Sequence, residues 1–397
     1  MKKRAIKGFT LVELLVAITL GLLITGVGIT AYKQGMNSTT YMNQRTVVQG
    51  NARTAINQLS QDLNFAGYGL PIGGVVVPST AIFSCSTSGT PAGYAYSCPA
   101  SATAFPVVSG NTTLYGIMPA YGKGATVNGT ATDVITMAYV DSSPGFWNDT
   151  CGTGTTVCGF DAYPLITTTV SGSNVALYWD TKTSPLPTDT QWGVKVGDLV
   201  LVSNPVGAAV GFVSQVASTH INLLGGDPMK LNQAAGVNGA VANILPAGTN
   251  SYSGGAGTLP PTTVRRLNLV TYYVGTDPLT QASGSTTAPF RLYRVLNGDS
   301  NTNPPVPVAE QISNLTFSYD MFNSVCGGSL ATNAVNPTLT QIGLIKTINA
   351  NITAASTLNT SVLPGQKIQQ VPLSTTVSPR NLSFFDQYSS TSNGKCS

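Results

Sequence analysis

The chain begins with an apolar run over residues 9–31, in which Glu13 is the only charged side chain. As a helix this run would be about 35 Å long, which is enough to cross a bilayer. Up to residue 66 the apolar residues then recur at spacings of three and four, namely Val48, Ala52, Ile56, Leu59, Leu63 and Ala66. The polar residues between them are assigned to the opposite face, namely Gln49, Arg53, Gln58, Gln61 and Asp62. The pattern predicts one helix over residues 9–66, apolar all round in its 9–31 half and amphipathic in its 32–66 half.

A different pattern follows the Gly- and Pro-containing stop at residues 67–71. Residues 70–397 alternate short β-rich runs with Gly/Ser/Thr/Asn/Pro-rich loops, the longest at 84–112, 142–160, 248–263 and 297–307. Strands are predicted at 133–141, 175–180, 269–274 and 290–296, with a three-strand meander over 198–203, 211–217 and 220–224. Strict alternation places Leu315, Phe317, Tyr319 and Met321 inward. The predicted fold class is α+β, with one long N-terminal helix packed on a mainly antiparallel β domain.

The charged residues are few and unevenly placed. They make up 9% of the chain, against about a quarter in soluble domains. The formal charge of +4 comes from the first eight residues, which carry Lys2, Lys3, Arg4 and Lys7. The remainder is neutral and offers no basic stripe, so nucleic-acid binding is not expected. The basic cluster before the apolar run predicts a cytoplasmic N-terminus with residues 32–397 outside.

The six cysteines all lie beyond the apolar run, at Cys85, Cys98, Cys151, Cys158, Cys326 and Cys396. An even number in an exported domain predicts disulfides, for which 15 pairings are open. Local pairing (85–98, 151–158 and 326–396) is the simplest of them. The sequence contains no C-x-x-C pair and His220 is its only histidine, so a zinc site is disfavoured. Neither a metal nor a cofactor is expected.

Two ordinary interpretations of the N-terminus compete with a functional one. A secretory signal peptide cut after Ala31 and a plain single-span anchor both fit an apolar run. Neither accounts for Glu13, because a carboxylate within a spanning helix costs at least about 2–3 kcal/mol and usually has a function. A cleaved signal also leaves unexplained why the helical pattern continues beyond residue 31.

Residues 7–16, KGFTLVELLV, resemble the class III signal of type IV pilins and type II secretion pseudopilins. The resemblance implies that prepilin peptidase removes the leader, residues 1–8, by cutting between Gly8 and Phe9, and then methylates the Phe9 amine. It also implies that Glu13 pairs with the Phe9 amine of a neighbouring subunit during assembly. Three glycines interrupt the apolar half, at Gly21, Gly26 and Gly28. They suit either local helix melting in a filament or close helix packing, and both interpretations stay open.

Ordered segments further along resemble PilW-type minor pilins. These are residues 51–68, the GDLVLVS strand at 197–203, and a late series ending in PLSTTVSPRNL at 372–382. The resemblance implies a minor pilin that primes pilus assembly near the tip. Its partners would be other pilins and minor pilins, prepilin peptidase, the inner-membrane assembly machinery and, before assembly, the lipid bilayer. A J-type pseudopilin of type II secretion is the first alternative. A pilus-displayed adhesin bearing Trp147, Trp179 and Trp192 is the second.

Fragments that mimic catalytic motifs do not complete them. Residues 116–124 approach a P-loop but lack the Ser or Thr that must follow Lys123. Val157 occupies the place of the third glycine in a dinucleotide loop that would begin at Gly152. His220 has no sequence context for a nucleophilic triad. We therefore expect no enzyme and no small-molecule substrate.

Overall fold

The computed structural model describes most of the helix and of the β domain. The residues described are 10–71, 73–81, 112–127, 129–141, 149–150, 157–158, 163–179, 186–188, 193–252, 258–276, 290–297, 305–324, 327–356, 370–379 and 382.

The long helix, α1, runs without a break over Leu11–Phe65, which is 55 residues or about 80 Å. Thr10 caps its N-terminus with an extended backbone. The helix ends where Gly67 and Gly69 adopt φ values of +78° and +71°, a region that favours glycine. A Cβ at Gly69 would lie 2.7 Å from the Cβ of Val140, so the chain can turn this closely against the sheet only without a side chain. The predicted helix over 9–66 is confirmed within the described residues.

Within the described residues, two further helices are single turns, α2 at Val241–Ile244 and α3 at Leu339–Ile342. The strands of the first half are β1 Val75–Val76, β2 Thr113–Leu114, β3 Ile117–Ala120, β4 Thr126–Val127, β5 Thr130–Ala131, β6 Val134–Val140, β7 Asp149–Thr150, β8 Val157–Cys158, β9 Tyr163–Ser171, β10 Asn174–Trp179 and β11 Leu199–Asn204. Those of the second half are β12 Gly207–Phe212, β13 Gln215–Val216, β14 His220–Leu223, β15 Gly248–Ser251, β16 Thr263–Thr276, β17 Phe290–Leu296, β18 Val306–Glu310, β19 Ile312–Ser324, β20 Gly327–Ala334, β21 Ile345–Ala355 and β22 Gln370–Val377.

The larger sheet has 12 strands. Its central strand is β16, which pairs with β6, β9, β11 and β17. One path through the sheet runs β12-β11-β16-β9-β10-β14-β13. Its two end strands, β12 and β13, are separated in the chain only by Val213 and Ser214, so the path curls back on itself. Apolar side chains from β9, β10, β11, β12 and β14 fill the inside of the curl, together with α2. This end of the domain therefore has its own core.

The smaller sheet has the order β20-β19-β21-β22 and carries the second half of α1. Its apolar side chains join those of α1, β6 and β16 in the largest core cluster. Leu315, Phe317, Tyr319 and Met321 are all buried, which confirms their predicted alternation. Gln311 alone separates β18, in the larger sheet, from β19, in the smaller one, and has a φ of +62°.

The predicted α+β fold, one long helix on an antiparallel β domain, is confirmed, whereas two local expectations are wrong. Instead of a three-strand meander, β12 pairs with β11 and β13 pairs with β14, while β14 pairs on its other side with β10. The segments 248–263 and 142–160 are not wholly loops either, because Gly248–Ser251 forms β15 along β9 and β7 pairs with β8. The strands β14 and β15 pair with β10 and β9, which lie far away in the chain, and local sequence does not specify such pairings.

Candidate assembly segment and its docking contacts

The first half of α1 leaves its apolar side chains uncovered. Leu11 is 78% exposed and Val16 50%, and large apolar residues stay exposed through Ile29. Among the described residues, α1 is the one helix long and apolar enough to cross a membrane. Such a surface does not persist in water, so this half fits an anchor in the inner membrane.

Glu13 lies in the first turn of α1, where its carboxylate is held by Thr10. Oε2 of Glu13 accepts hydrogen bonds from the backbone N–H and the hydroxyl of Thr10, both at 3.0 Å. The Glu13 N–H in turn donates to the Thr10 hydroxyl oxygen at 3.3 Å, which completes a reciprocal capping box. The one carboxylate of the apolar half therefore has a local partner inside its own chain.

The helix continues through Gly21, Gly26 and Gly28. A Cβ built at any of the three meets nothing within 4 Å. The hydroxyls of Thr25 and Thr30 donate to the carbonyls of Gly21 and Gly26, at 2.7 and 2.9 Å. These contacts satisfy polar groups along the apolar half, and the melting and packing interpretations of the glycines remain predictions.

In its last turns α1 contributes a buried carboxylate, that of Asp62. Only 5% of Asp62 is exposed. Its Oδ2 accepts from Nε of Arg294 at 2.7 Å and from the hydroxyl of Tyr272 at 2.6 Å, while its Oδ1 accepts from the hydroxyl of Tyr139 at 3.3 Å. Tyr139, Tyr272 and Arg294 lie on the adjacent strands β6, β16 and β17. This group of four residues, the Asp62 cluster, ties the helix to three strands at one point.

The proton equilibria of the cluster follow from burial and from the Asp62 charge. Burial and then the charge of Asp62 raise the pKa of Tyr139 and of Tyr272 well above the usual range, so both hydroxyls remain donors. Burial opposes the charge of Arg294, but its hydrogen bonds to Asp62 and the Asp62 charge outweigh this, so the pKa of the guanidinium is raised. The cluster is therefore a fixed ion pair with two neutral donors.

The assignment of Asp62 to the polar face of the helix is wrong. The buried positions of the second half are Val48, Ala52, Ala55, Leu59, Asp62, Leu63 and Ala66. Asp62 lies three residues after Leu59 and four before Ala66, so it falls on the apolar stripe by spacing. A charge on that stripe indicates a buried partner, and this signal was present in the sequence. Its partners, 77 to 232 residues away, could not be predicted from spacing.

A second buried carboxylate joins the two sheets. Oδ1 of Asp133 accepts from the Gly122 N–H at 2.7 Å and Oδ2 accepts from the Phe317 N–H at 2.8 Å. The Asp133 N–H donates to the Leu315 carbonyl. Burial raises the pKa of the Asp133 carboxyl despite these donors. The platform under the helix is thus fixed where β6 begins and where β19 passes.

Several predicted site residues lie outside the described residues. They are Gly8, Phe9, Cys85, Cys98, Cys151, Cys326, Cys396, Trp147 and Trp192. Cys158 is in β8, with its backbone opposite Asp149. Processing and the disulfide pairing therefore remain predictions. Trp179 is only 2% exposed and belongs to the core of the curled sheet, so it is no surface platform.

Residues 3–29 match the family described as the Prokaryotic N-terminal methylation motif. The match covers residues 3–8 of the basic leader and the apolar start of α1, which includes Glu13. Comparison with curated proteins and with solved structures finds no match. The motif and the helix behind it support a type IV pilin-like or pseudopilin precursor, with processing by prepilin peptidase and assembly with other pilins.

Proposed function

We propose that this protein is a PilW-type minor pilin that contributes to the priming of type IV pilus assembly, near the filament tip. The observation that carries the proposal is the methylation motif at the head of an unbroken helix. That helix has an uncovered apolar half and a second half fixed to a β domain by a buried ion pair. One element thus combines a removable leader, an anchor that remains after the cut, and a rigid connection to the exported domain.

In this proposal, assembly of the filament depends on the Glu13 carboxylate. Prepilin peptidase cuts after Gly8, and Phe9 becomes the methylated N-terminus. In the bilayer, Thr10 satisfies part of the Glu13 carboxylate, and among the residues that the structure describes no cation pairs with it. The Phe9 amine of a neighbouring subunit supplies that cation in the filament. The pairing sets the axial register of the two helices before the subunit leaves the membrane.

The same proposal fixes location and excludes several activities. The protein sits in the bacterial inner membrane with its N-terminus in the cytoplasm, and then in the extracellular pilus. Its partners are pilins, minor pilins and the inner-membrane assembly machinery. It carries no catalytic site or cofactor, and it binds neither nucleic acid nor a small-molecule substrate.

Gene deletion tests the proposal. Loss of surface pili, restored by the wild-type gene, is the expected result, and sheared pili from the restored strain should contain the protein at low abundance. Secretion of type II substrates should be unchanged. Normal piliation with failed secretion would contradict the pilus assignment and favour a J-type pseudopilin, for which the same helix and motif would serve.

A further inference from the structure

One outward face of the curled sheet is built from uncharged polar side chains and a pair of rings. Cross-strand pairing places Ser251 (β15), Thr167 (β9), Tyr178 (β10) and His220 (β14) in one row across four strands. Directly paired residues project to the same side of a sheet. The next residues of β10 and β14, Trp179 and Ile221, are buried, which confirms that the row faces out.

A second row runs beside the first. It consists of Thr249 (β15), Thr169 (β9), Ala176 (β10), Asn222 (β14) and Gln215 (β13). Thr249 and Gln215, at its two ends, are exposed. We call the two rows together the hydroxyl face.

Hydroxyls on this face are paired across strands and keep spare hydrogen-bonding capacity. The hydroxyls of Thr167 and Ser251 lie 3.1 Å apart, as do those of Thr169 and Thr249. Each pair uses one O–H in its mutual bond and leaves a second O–H and several lone pairs for another molecule. The amides of Asn222 and Gln215 add donors and acceptors at the far end, at 3.4 Å from each other.

Two stacked aromatic rings, which we call the Tyr178–His220 step, lie at the far end of the first row. The rings of Tyr178 and His220 stack with centroids 4.4 Å apart and an angle of 30° between their planes. Both side chains are half-buried. A stacked pair held by two neighbouring strands is a rigid surface, and a ring that binds to it needs little side-chain ordering.

We propose that the hydroxyl face binds a neutral polysaccharide chain. The two rows contain no Lys, Arg, Asp or Glu, so the face lacks the charged side chains that recognise a nucleic acid or an acidic polymer. A sugar presents C–H groups on the faces of its ring and hydroxyls at its edge. The first suit the Tyr178–His220 step and the second suit the paired hydroxyls. The four strands span about 14 Å, room for an extended chain of about three sugars rather than for a single one.

The single histidine of the chain gives a direct reporter of this face. The full mature chain, labelled at histidine and held in a detergent without sugar head groups, would be titrated with maltohexaose, cellohexaose and chitohexaose. Heparin would be the anionic probe. The His220 ring resonances are followed by NMR, with no filament required, so the result is independent of the pilus assignment. Saturable shifts with at least one neutral hexasaccharide, and none with heparin, are expected.

Variants locate the binding. Tyr178→Thr, which keeps a strand-favouring residue, should weaken the affinity about tenfold through loss of the stacked ring. The double variant Thr167→Val, Thr169→Val removes hydroxyls without changing side-chain shape and should also weaken it. Tyr121→Thr is the control, because Tyr121 is 52% exposed outside the two rows. No shift with any neutral hexasaccharide, binding of heparin alone, or equal affinity in all variants would overturn the proposal.

Discussion

The guanidinium of Arg294 donates from Nε to Oδ2 of Asp62 at 2.7 Å, and this pair joins the end of the long helix to β17. The two residues lie 232 positions apart in the chain. The Asp62 side chain is 6% exposed and that of Arg294 26%, so the pair is largely shielded from water. A buried ion pair adds little net stability over apolar packing but is sensitive to the loss of one partner. It therefore fixes where the helix docks more than how strongly.

Replacing Asp62 with Leu should destabilise the domain by about 3 kcal/mol, because Arg294 and two tyrosine hydroxyls lose their shared acceptor. Urea unfolding of the full chain in detergent would measure the change. Gln61→Leu, one residue away and exposed, is the control and should stay within about 0.5 kcal/mol of wild type. The double variant Asp62→Leu, Arg294→Leu should recover part of the loss. Equal effects of Asp62→Leu and Gln61→Leu would show that the cluster does not hold the helix.

The two tyrosines of the Asp62 cluster predict a loss of stability at alkaline pH. Their pKa values are raised in the folded protein, so above about pH 10 the unfolded chain releases protons that the folded chain keeps. The part of the free energy of unfolding that these tyrosines contribute is fully present below about pH 10. It is lost as pH rises further, by up to about 1.4 kcal/mol per pH unit for each tyrosine. Unfolding curves between pH 9 and 11.5 would show this. In the variant Tyr139→Phe, Tyr272→Phe the slope should be smaller, and an unchanged slope would refute the assignment.

The stability of the protein should depend on which residue replaces Gln311. Its φ of +62° lies in the left-handed region, and its carbonyl accepts from the Ala355 N–H at 2.7 Å where the chain passes from β18 to β19. Both Gln311→Gly and Gln311→Val remove the side-chain contacts, but only Val resists this backbone conformation. The Val variant should be less stable than the Gly variant by about 1–2 kcal/mol. Equal thermal stability of the two would mean that the passage between sheets tolerates another backbone path.

The long helix and the processing motif before it could be predicted from sequence, because each depends only on residues close together in the chain. The three-and-four spacing up to Ala66 needs only one turn of helix to read. The motif around Gly8, Phe9 and Glu13 is likewise contained in a few residues. The uncovered apolar half and the buried second half then followed from the same pattern.

What the sequence did not predict depends on contacts between distant segments. Strand positions such as 290–296 were correct, but β14 pairs with the distant strand β10 as well as with β13, and periodicity predicts strands without their partners. Asp62 was misplaced because a charge was treated as polar surface by its type, although its spacing put it on the apolar stripe. The choice of Tyr139, Tyr272 and Arg294 as its partners is a property of the folded sheet.

Glu13 should be needed for incorporation into the filament but not for processing. The variant Glu13→Gln keeps an acceptor for Thr10 and removes the charge that the neighbouring amine needs. We expect normal cleavage and membrane level, with at least several-fold less protein in sheared pili. Thr25→Val, which removes a hydroxyl bonded to the Gly21 carbonyl in the same apolar half, is the control and should assemble normally. Normal incorporation of Glu13→Gln would exclude the pairing with a neighbour's amine.

Mass spectrometry of the N-terminal peptide, taken from the membrane fraction and from sheared pili, tests the central claim most directly. The account predicts a peptide that starts at N-methylated Phe9 and retains Glu13, because prepilin peptidase cuts after Gly8 and leaves the apolar half of α1 on the protein. A peptide that starts at Tyr32 would show removal of that half as a secretory signal. The anchor, the role of Glu13 and membership of a filament would then all be contradicted.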